Sequence, residues 1–492
     1  MIQGYVDRES IVAGNVLHLH VSTDAIFFRV DFYLISESLT FIASSAWHTG
    51  IESHPPPHPD GIPHHASPAE DWRWPCYEFQ VPAEWLPGIY VAALVEGCID
   101  GARTRAREYD AATVGGFEKE FFIVKPARPG TYSSILYKKS TFTRHAYNRS
   151  DSAVQERASS LYENPVYVPA NGHDQPCGHK VSMHRPGGII DLAYWDAPFI
   201  SWLSRNGYAV EFCTDLDLHE NPRLLSAYTL LLSVGHDEYW TQKMRAGVES
   251  FVHRGGNVAF FSANTCWWRI HLVDNNTAFV SDTDHHVNNI YPHLPATDKW
   301  WVPAPDGVGQ AENSLTGVSF RNGGMWPGSW PGDRPCPGFT VQHADHWVYA
   351  GTGLRDGSGG KTPDVFGAGA PLIGYECDGA AFTYDDDGIA WASGIDGSPA
   401  SFLILGLAIL EPVNDNLYAL HAGHWNCAMR EPGIKSPRAA TMGVYSDNGT
   451  VFTAATTDWP MIVGRALDKN VEQITRNVLN KLGGLQRRTK GR

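Results

Sequence analysis

No stretch of these 492 residues is apolar for long enough to span a bilayer, so no membrane partner is expected. The opening Met1-Ile2-Gln3-Gly4-Tyr5 lacks the basic stretch and apolar core of a secretory signal, and a cytoplasmic location is the expectation. Positive charge is scarce as well: 38 Lys and Arg stand against 53 Asp and Glu, for a formal net charge of -15. Phosphate backbones are bound by clustered cations, so nucleic acid is not an expected partner. The one basic run, Arg487-Arg488-Thr489-Lys490-Gly491-Arg492, reads as a solvated tail. The eight cysteines form no CxxC, which argues against a zinc-thiolate cluster or a dense disulfide framework and predicts reduced, mostly buried thiols. In the proline- and histidine-rich run from His54 to His65 nothing fixes the imidazoles in a coordination geometry, and a stiff exposed connection is expected.

What the chain has is apolar residues in patterned runs. Hydrophobic residues make up 43% and charged residues 18%, enough to bury several cores, so disorder is not a general description. Short alternating runs (Val16 to Val21, Phe27 to Leu34) punctuated by Gly and Pro, with the runs Pro87 to Leu94 and Lys119 to Val124 marking the close, predict an antiparallel β-sandwich over 1–128. The turn-rich Pro126-Ala127-Arg128-Pro129-Gly130 closes it.

From 131 to 492 the pattern becomes strand alternating with helix. Strands are predicted at 134–137, 209–213, 229–233, 258–261, 371–375 and 449–453, with helices over 198–206, 241–254 and 468–482. Such units build a parallel sheet, and a doubly wound α/β domain similar to glutamine amidotransferases is the expected second fold. The Trp-, Gly- and Pro-rich stretch 297–371 reads as an irregular insertion with short strands.

Ligands of open α/β sheets sit beyond the carboxyl ends of the strands, so polar residues just after apolar strands are the ones to examine. Ser233-Val234-Gly235-His236-Asp237-Glu238-Tyr239-Trp240 puts an imidazole and two carboxylates in one such loop. Ser262-Ala263-Asn264-Thr265 adds a carboxamide after the neighbouring strand. His236 and Glu238 suit metal binding with a supporting partner, or general acid/base work. The plainer reading is that Asp237 or Glu238 caps the helix starting near Thr241.

In order along the chain, Ser140-Thr141-Phe142-Thr143-Arg144-His145-Ala146-Tyr147-Asn148, Leu161-Tyr162-Glu163-Asn164, Gly235 to Trp240, Asn264-Thr265-Cys266-Trp267-Trp268 and Gly374-Tyr375-Glu376-Cys377-Asp378 resemble segments of the N,N-dimethylformamidase large (catalytic) subunit family. The opening Ile2 to Arg8 looks like that family's start. The resemblance implies a mononuclear Fe3+ held by Tyr147, Tyr162 and Glu238, hard oxygen donors that suit a trivalent cation. It also implies Glu376, His236 and Asn264 as catalytic residues, with the carboxylate as base and the others as orienting or oxyanion-stabilising groups.

The expected activity is hydrolysis of the C–N bond of a small amide, and a homo-oligomer is expected. The family's small helical second subunit is not encoded here. The chain is also too short for the extra sandwich-like insertion of that subunit, and near Ser281-Asp282 no lysine stands where the family's active site has one. Two alternatives remain: a glutamine amidotransferase-like enzyme without iron, weakened by the absence of cysteine from the 235–240 loop, and a carbohydrate-binding protein using some of the 17 Trp and 20 Tyr.

Overall fold

The computed structural model describes residues 1–56, 68–100, 103–106, 113–148, 161, 180–281, 298–305, 307–325, 337–410 and 433–484. The chain divides into two compact units, neither continuous in sequence: Met1–Tyr132 with Thr141–Asn221 and Arg269–Asp298, and Ser133–Ser140 with Pro222–Trp268 and Lys299–Arg492.

Two sheets of the first unit share a core as a sandwich, but not a purely antiparallel one as expected, since Ser10–Val12 pairs in parallel with Lys119–Lys125. One sheet has the order Gln3–Val6, Val16–Ser22, Cys76–Gln80; the other has Ser10–Val12, Lys119–Lys125, Gly88–Asp100, Phe27–Ile35, Leu39–Ser44, with two short flanking strands. Period-two alternation decides which side chains face inward. Leu17, Leu19 and Val21 of one sheet share a core with Phe28, Val30, Phe32, Tyr90, Phe122 and Val124 of the other. Each such side chain removed from water contributes about 1.5–3 kcal/mol. Of the Pro- and His-rich loop, His58, His64 and His65 lie outside the described residues.

Among the described residues, eight strands of the second unit lie in one sheet, in the order Ile135–Lys139, Leu230–His236, Asn257–Ala263, Thr450–Thr453, Ala439–Ser446, Leu403–Ile409, Phe339–Val341, Val365–Phe366. The first four run parallel and the rest are antiparallel, so this sheet is mixed where a parallel one was expected. The reason lies in one connection: only Asp447, Asn448 and Gly449 separate Ala439–Ser446 from Thr450–Thr453, too few for a crossover, so the strands form a hairpin. Two short strands of the 297–371 stretch, Phe339–Val341 and Val365–Phe366, form the sheet's outer end.

The predicted helices appear as Ala197–Arg205, Gln242–His253 and Lys469–Leu482. The strand expected at 371–375 does not form there; the strand is Glu376–Gly379, which pairs with Ser319–Met325. Gly374 is held too closely to join it: Thr456 accepts its N–H, and a Cβ on Gly374 would collide with the Asp458 carboxylate. Among the described residues no helix is long and apolar enough to cross a membrane.

Candidate active site

Two parallel strands end level with one another, His236 opposite Ala263, so the residues that follow them emerge side by side. Gly235 turns the end of the first strand at φ +75°, a conformation that favours glycine, and the chain continues through Asp237 and Glu238. The second strand continues into Asn264 and Cys266, both left-handed at φ +47° and +58°. Backbone bonds join the two segments: the Cys266 N–H donates to the Asp237 carbonyl, and those of Trp267 and Trp268 to the Glu238 carbonyl.

Asp237 does not cap the helix. Thr241 does so, its hydroxyl accepting the Met244 N–H at 3.2 Å. Asp237 lies beneath the loop, fully buried against a fully buried Lys138 at 2.6 Å, and it also accepts the Ser233 hydroxyl and the Trp240 indole N–H. Ser233 meets Ser262, and Ser262 meets Thr265, so a polar chain runs under both segments. This ties the loop down while leaving His236 and Glu238 for other partners.

Glu376 is not the solvent-facing strand end that its sequence context suggests; it is 5% exposed. Its strand lies across the segment after Thr450–Thr453, with the Asp378 N–H on the Ala455 carbonyl and the Thr457 N–H on the Glu376 carbonyl. From there Glu376 Oε2 stands 2.7 Å from His236 Nε2, and Glu238 Oε2 stands 3.2 Å from the same nitrogen. Neither contact has hydrogen-bond alignment, so both act as charge contacts. Burial works against a charged imidazole, but the Glu376 and Glu238 carboxylates outweigh it and push His236 up to about 10. Asn264 Nδ2 donates to Glu376 Oε2 at 3.2 Å.

Sequence reasoning missed Asp378. It accepts the backbone N–H of Asn264 at 2.9 Å and of Thr265 at 3.2 Å, gripping the left-handed turn with both oxygens. Burial pushes its carboxyl up to about 8, with Glu312 and Glu376 adding to the shift and the two N–H donors opposing it. The period-two spacing of Glu376 and Asp378 carried the signal, since residues i and i+2 of a strand share a face. Lys138 was missed because the predicted strand stopped at Tyr137.

The structure thus brings together His236, Glu238, Glu376 and Asn264 from three separate segments. Tyr147 lies in the other unit, half-buried on the turn after the helix Thr141–Ala146, and Tyr162 lies outside the described residues. Among the described residues no group of three or more His, Cys, Asp or Glu side chains is disposed to hold a metal ion. Two carboxylates around one imidazole nevertheless leave this cluster with an excess of negative oxygen donors, chemistry that fits a hard cation.

Cys266 gives no support to a cysteine nucleophile. It follows a strand and is left-handed, but it is fully buried, and burial pushes its thiol well up. Nor do the aromatics form sugar-stacking platforms as a rule: Trp240, Trp268, Trp300 and Trp459 are among the largest fully buried side chains.

A buried imidazole thus lies between two carboxylates, next to the carboxyl ends of parallel strands, an arrangement chemically suited to proton transfer. The family follows from comparison: a model described as N,N-dimethylformamidase beta subunit-like, C-terminal, matches residues 27–472, and the chain belongs to that family. It is 24% identical over 457 residues to the N,N-dimethylformamidase beta subunit of Alcaligenes sp, covering 78% of this chain and 55% of that protein. It is 26% identical over 221 residues to the protein of the same name from Paracoccus aminophilus, covering 35% of this chain and 29% of that one. The chain therefore spans about half the length, or less, of the curated relatives it matches. Both relatives are beta subunits by name, where the sequence resemblance pointed to a large, catalytic one.

Proposed function

We propose that this chain is a catalytic subunit that hydrolyses the C–N bond of a small amide. The observation that carries this reading is the arrival of Glu376, from a strand more than a hundred residues on, within 2.7 Å of His236 and 3.2 Å of Asn264. A carboxylate delivered to a buried imidazole and carboxamide is equipped to move a proton.

In this reading Glu376 takes a proton from the attacking water and passes it to the departing nitrogen. Asn264 orients Glu376 through one Nδ2 hydrogen, and the second is free to meet the developing oxyanion. His236 holds Glu376 and Glu238 in register. By the sequence resemblance, Glu238, Tyr147 and Tyr162 are the residues to test as ligands of a ferric ion, a carboxylate and two phenolates being hard oxygen donors. Such an ion, when bound, supplies Lewis acidity toward the carbonyl and the water. The beta-subunit name of the relatives supports an assembly of more than one chain, either a homo-oligomer or a complex with a small second subunit.

The test is a screen of small formamides and acetamides for released amine, with iron measured on freshly purified protein. Glu376→Gln is expected to keep its iron while turnover falls roughly a hundredfold, the usual cost of losing a general base. Glu238→Gln is expected to lose iron, and Tyr147→Phe or Tyr162→Phe to shift a visible phenolate-to-iron band. Full activity in Glu376→Gln would remove it from the chemistry; an unchanged spectrum in both tyrosine variants, with iron retained, would remove the phenolates.

A further inference from the structure

His20, on the strand Val16–Ser22, has both ring nitrogens against acceptors: Nδ1 is 2.7 Å from the Trp74 carbonyl and Nε2 is 2.5 Å from Asp7 Oδ1. A carbonyl and a carboxylate can only accept, and a neutral imidazole has a single N–H to give. Both contacts therefore hold together only while the ring is an imidazolium. Burial works against that charge, but the Asp7 carboxylate and the Trp74 carbonyl outweigh it and raise His20 above its ordinary range. His20 in turn holds Asp7 below the usual carboxylate range. Tyr5 stacks on the ring with centroids 4.7 Å apart, and His184 lies on Tyr5 from beyond. The other titratable groups nearby are His18 on the same strand, Cys76 and Glu78 on the paired strand, and Asp71.

The imidazolium holds the segment 71–74. Its Trp72 and Trp74 form a small buried cluster with Tyr5, apart from the main core of the sandwich. The segment is strained: Arg73 is left-handed at φ +50°, and the buried Trp74 indole N–H has no partner among the described residues. The Tyr5 hydroxyl accepts the Trp74 N–H at 3.2 Å and donates to Asp71 at 3.3 Å, and the His184 carbonyl accepts the Trp72 N–H. Arg185, the next residue, donates to the carbonyls of His145 and Asn148, on either side of Tyr147.

We infer that His20 is a pH-sensitive clasp: as an imidazolium it pins the segment 71–74 to the sandwich, and as a neutral ring it releases that segment. The direction of release follows from the two acceptors. Asp7 is charged and closer, and bonds to a charged partner are about twice as strong as neutral ones, so it keeps the one remaining hydrogen. Nδ1 then turns a lone pair toward the Trp74 carbonyl, and two acceptors in contact repel. Because His20 is raised, the clasp is complete below the ordinary histidine range and is lost as pH climbs through the raised value. The clasp does not depend on the amide chemistry proposed above.

Hydrogen–deuterium exchange of the full-length protein, corrected for the pH dependence of chemical exchange, tests the clasp at about pH 6 and about pH 9. At the higher pH the amides of 72–74 should lose protection by about tenfold or more relative to those of the strand Gly88–Asp100, the scale of one lost hydrogen bond to a charged group. Asp7→Asn supplies an N–H that a neutral Nε2 can accept, so its protection of 72–74 should be the same at both pH values. His20→Gln has no charge and should leave these amides weakly protected at both. Wild-type protection that does not change with pH would overturn the clasp, as would an Asp7→Asn variant that loses protection as steeply as wild type. Wild-type protection in His20→Gln at about pH 6 would overturn it as well. Should His20→Gln fold poorly, the wild type and Asp7→Asn decide.

Discussion

Asp237 and Glu238 are adjacent carboxylates in one loop, yet their surroundings give them opposite work. Asp237 points down, where Lys138 Nζ at 2.6 Å, the Ser233 hydroxyl and the Trp240 indole saturate it. The lysine also lies over the Trp240 ring, 4.9 Å from its centroid. Both charges are wholly buried, so removing one leaves the other uncompensated. Asp237→Asn should therefore destabilise the protein by about 3–5 kcal/mol, measured by urea unfolding, the usual cost of breaking a buried pair from one side. Replacing Lys138 by Met at the same time should recover part of that loss, since a buried ion pair exchanged for apolar groups is often close to neutral. A double variant no more stable than Asp237→Asn alone would mean that Asp237 is held chiefly by its other partners. Glu238 meets His236 instead, and its replacement should act on the site more than on the fold.

The strand Glu376–Gly379 is four residues long, and its period of two gives it both of its tasks. Glu376 enters the site, and Asp378, on the same face, fixes the turn that presents Asn264. Left-handed backbone at a residue other than glycine costs about 1–2 kcal/mol, and Asn264 and Cys266 both adopt it. The two N–H bonds to Asp378 offset that cost. Asp378→Asn keeps one acceptor oxygen and turns an amide NH2 toward the second N–H, so about 1–3 kcal/mol of stability should be lost. Because the turn carries Asn264, turnover should fall tenfold or more, on the order expected when a catalytic side chain shifts by an ångström. Unchanged turnover with lowered stability would confine Asp378 to the fold. A strand this short, preceded by glycine, offers little periodicity to read, which is why sequence analysis placed it at 371–375.

At the scale of the molecule, the first unit ties its sandwich to the helix Thr141–Ala146 with buried charge. Arg144 donates to both oxygens of Glu120 and to Glu9, and Glu9 also meets His145 Nε2 at 3.1 Å. Burial works against the Glu9 carboxylate, but His145 and Arg144 outweigh it and hold it near 2. A carboxyl lowered in the folded state stabilises above its unfolded value near 4.5, and that stability is lost as pH falls toward 2. Unfolding free energy, followed by tryptophan fluorescence in urea, should therefore drop by about 3 kcal/mol across that window, and Glu9→Gln should flatten the limb. An acid limb unchanged in Glu9→Gln would assign it to other carboxylates. Glu120 works in the opposite sense: burial pushes it up to about 7, so its contribution falls as pH rises from about 4.5 to 7.

Local pattern was sufficient for much of this protein. The alternating Phe27–Ile35, the apolar run in Lys119–Lys125 and the strand–helix–strand run from Leu230 to Ala263 were legible because the face each side chain takes follows from the period of its own backbone. The loop after Leu230–His236 stood out for the same reason, as charge placed directly after an apolar strand. What the tertiary structure alone decided depends on distance along the chain. A hairpin at 447–449 made the sheet mixed, Lys138 claimed Asp237 from another strand, and Glu376 was carried into contact with His236. None of these can be read from neighbouring residues, because a carboxylate becomes a cap, an ion-pair partner or a base according to which group the fold places within about 3 Å of it.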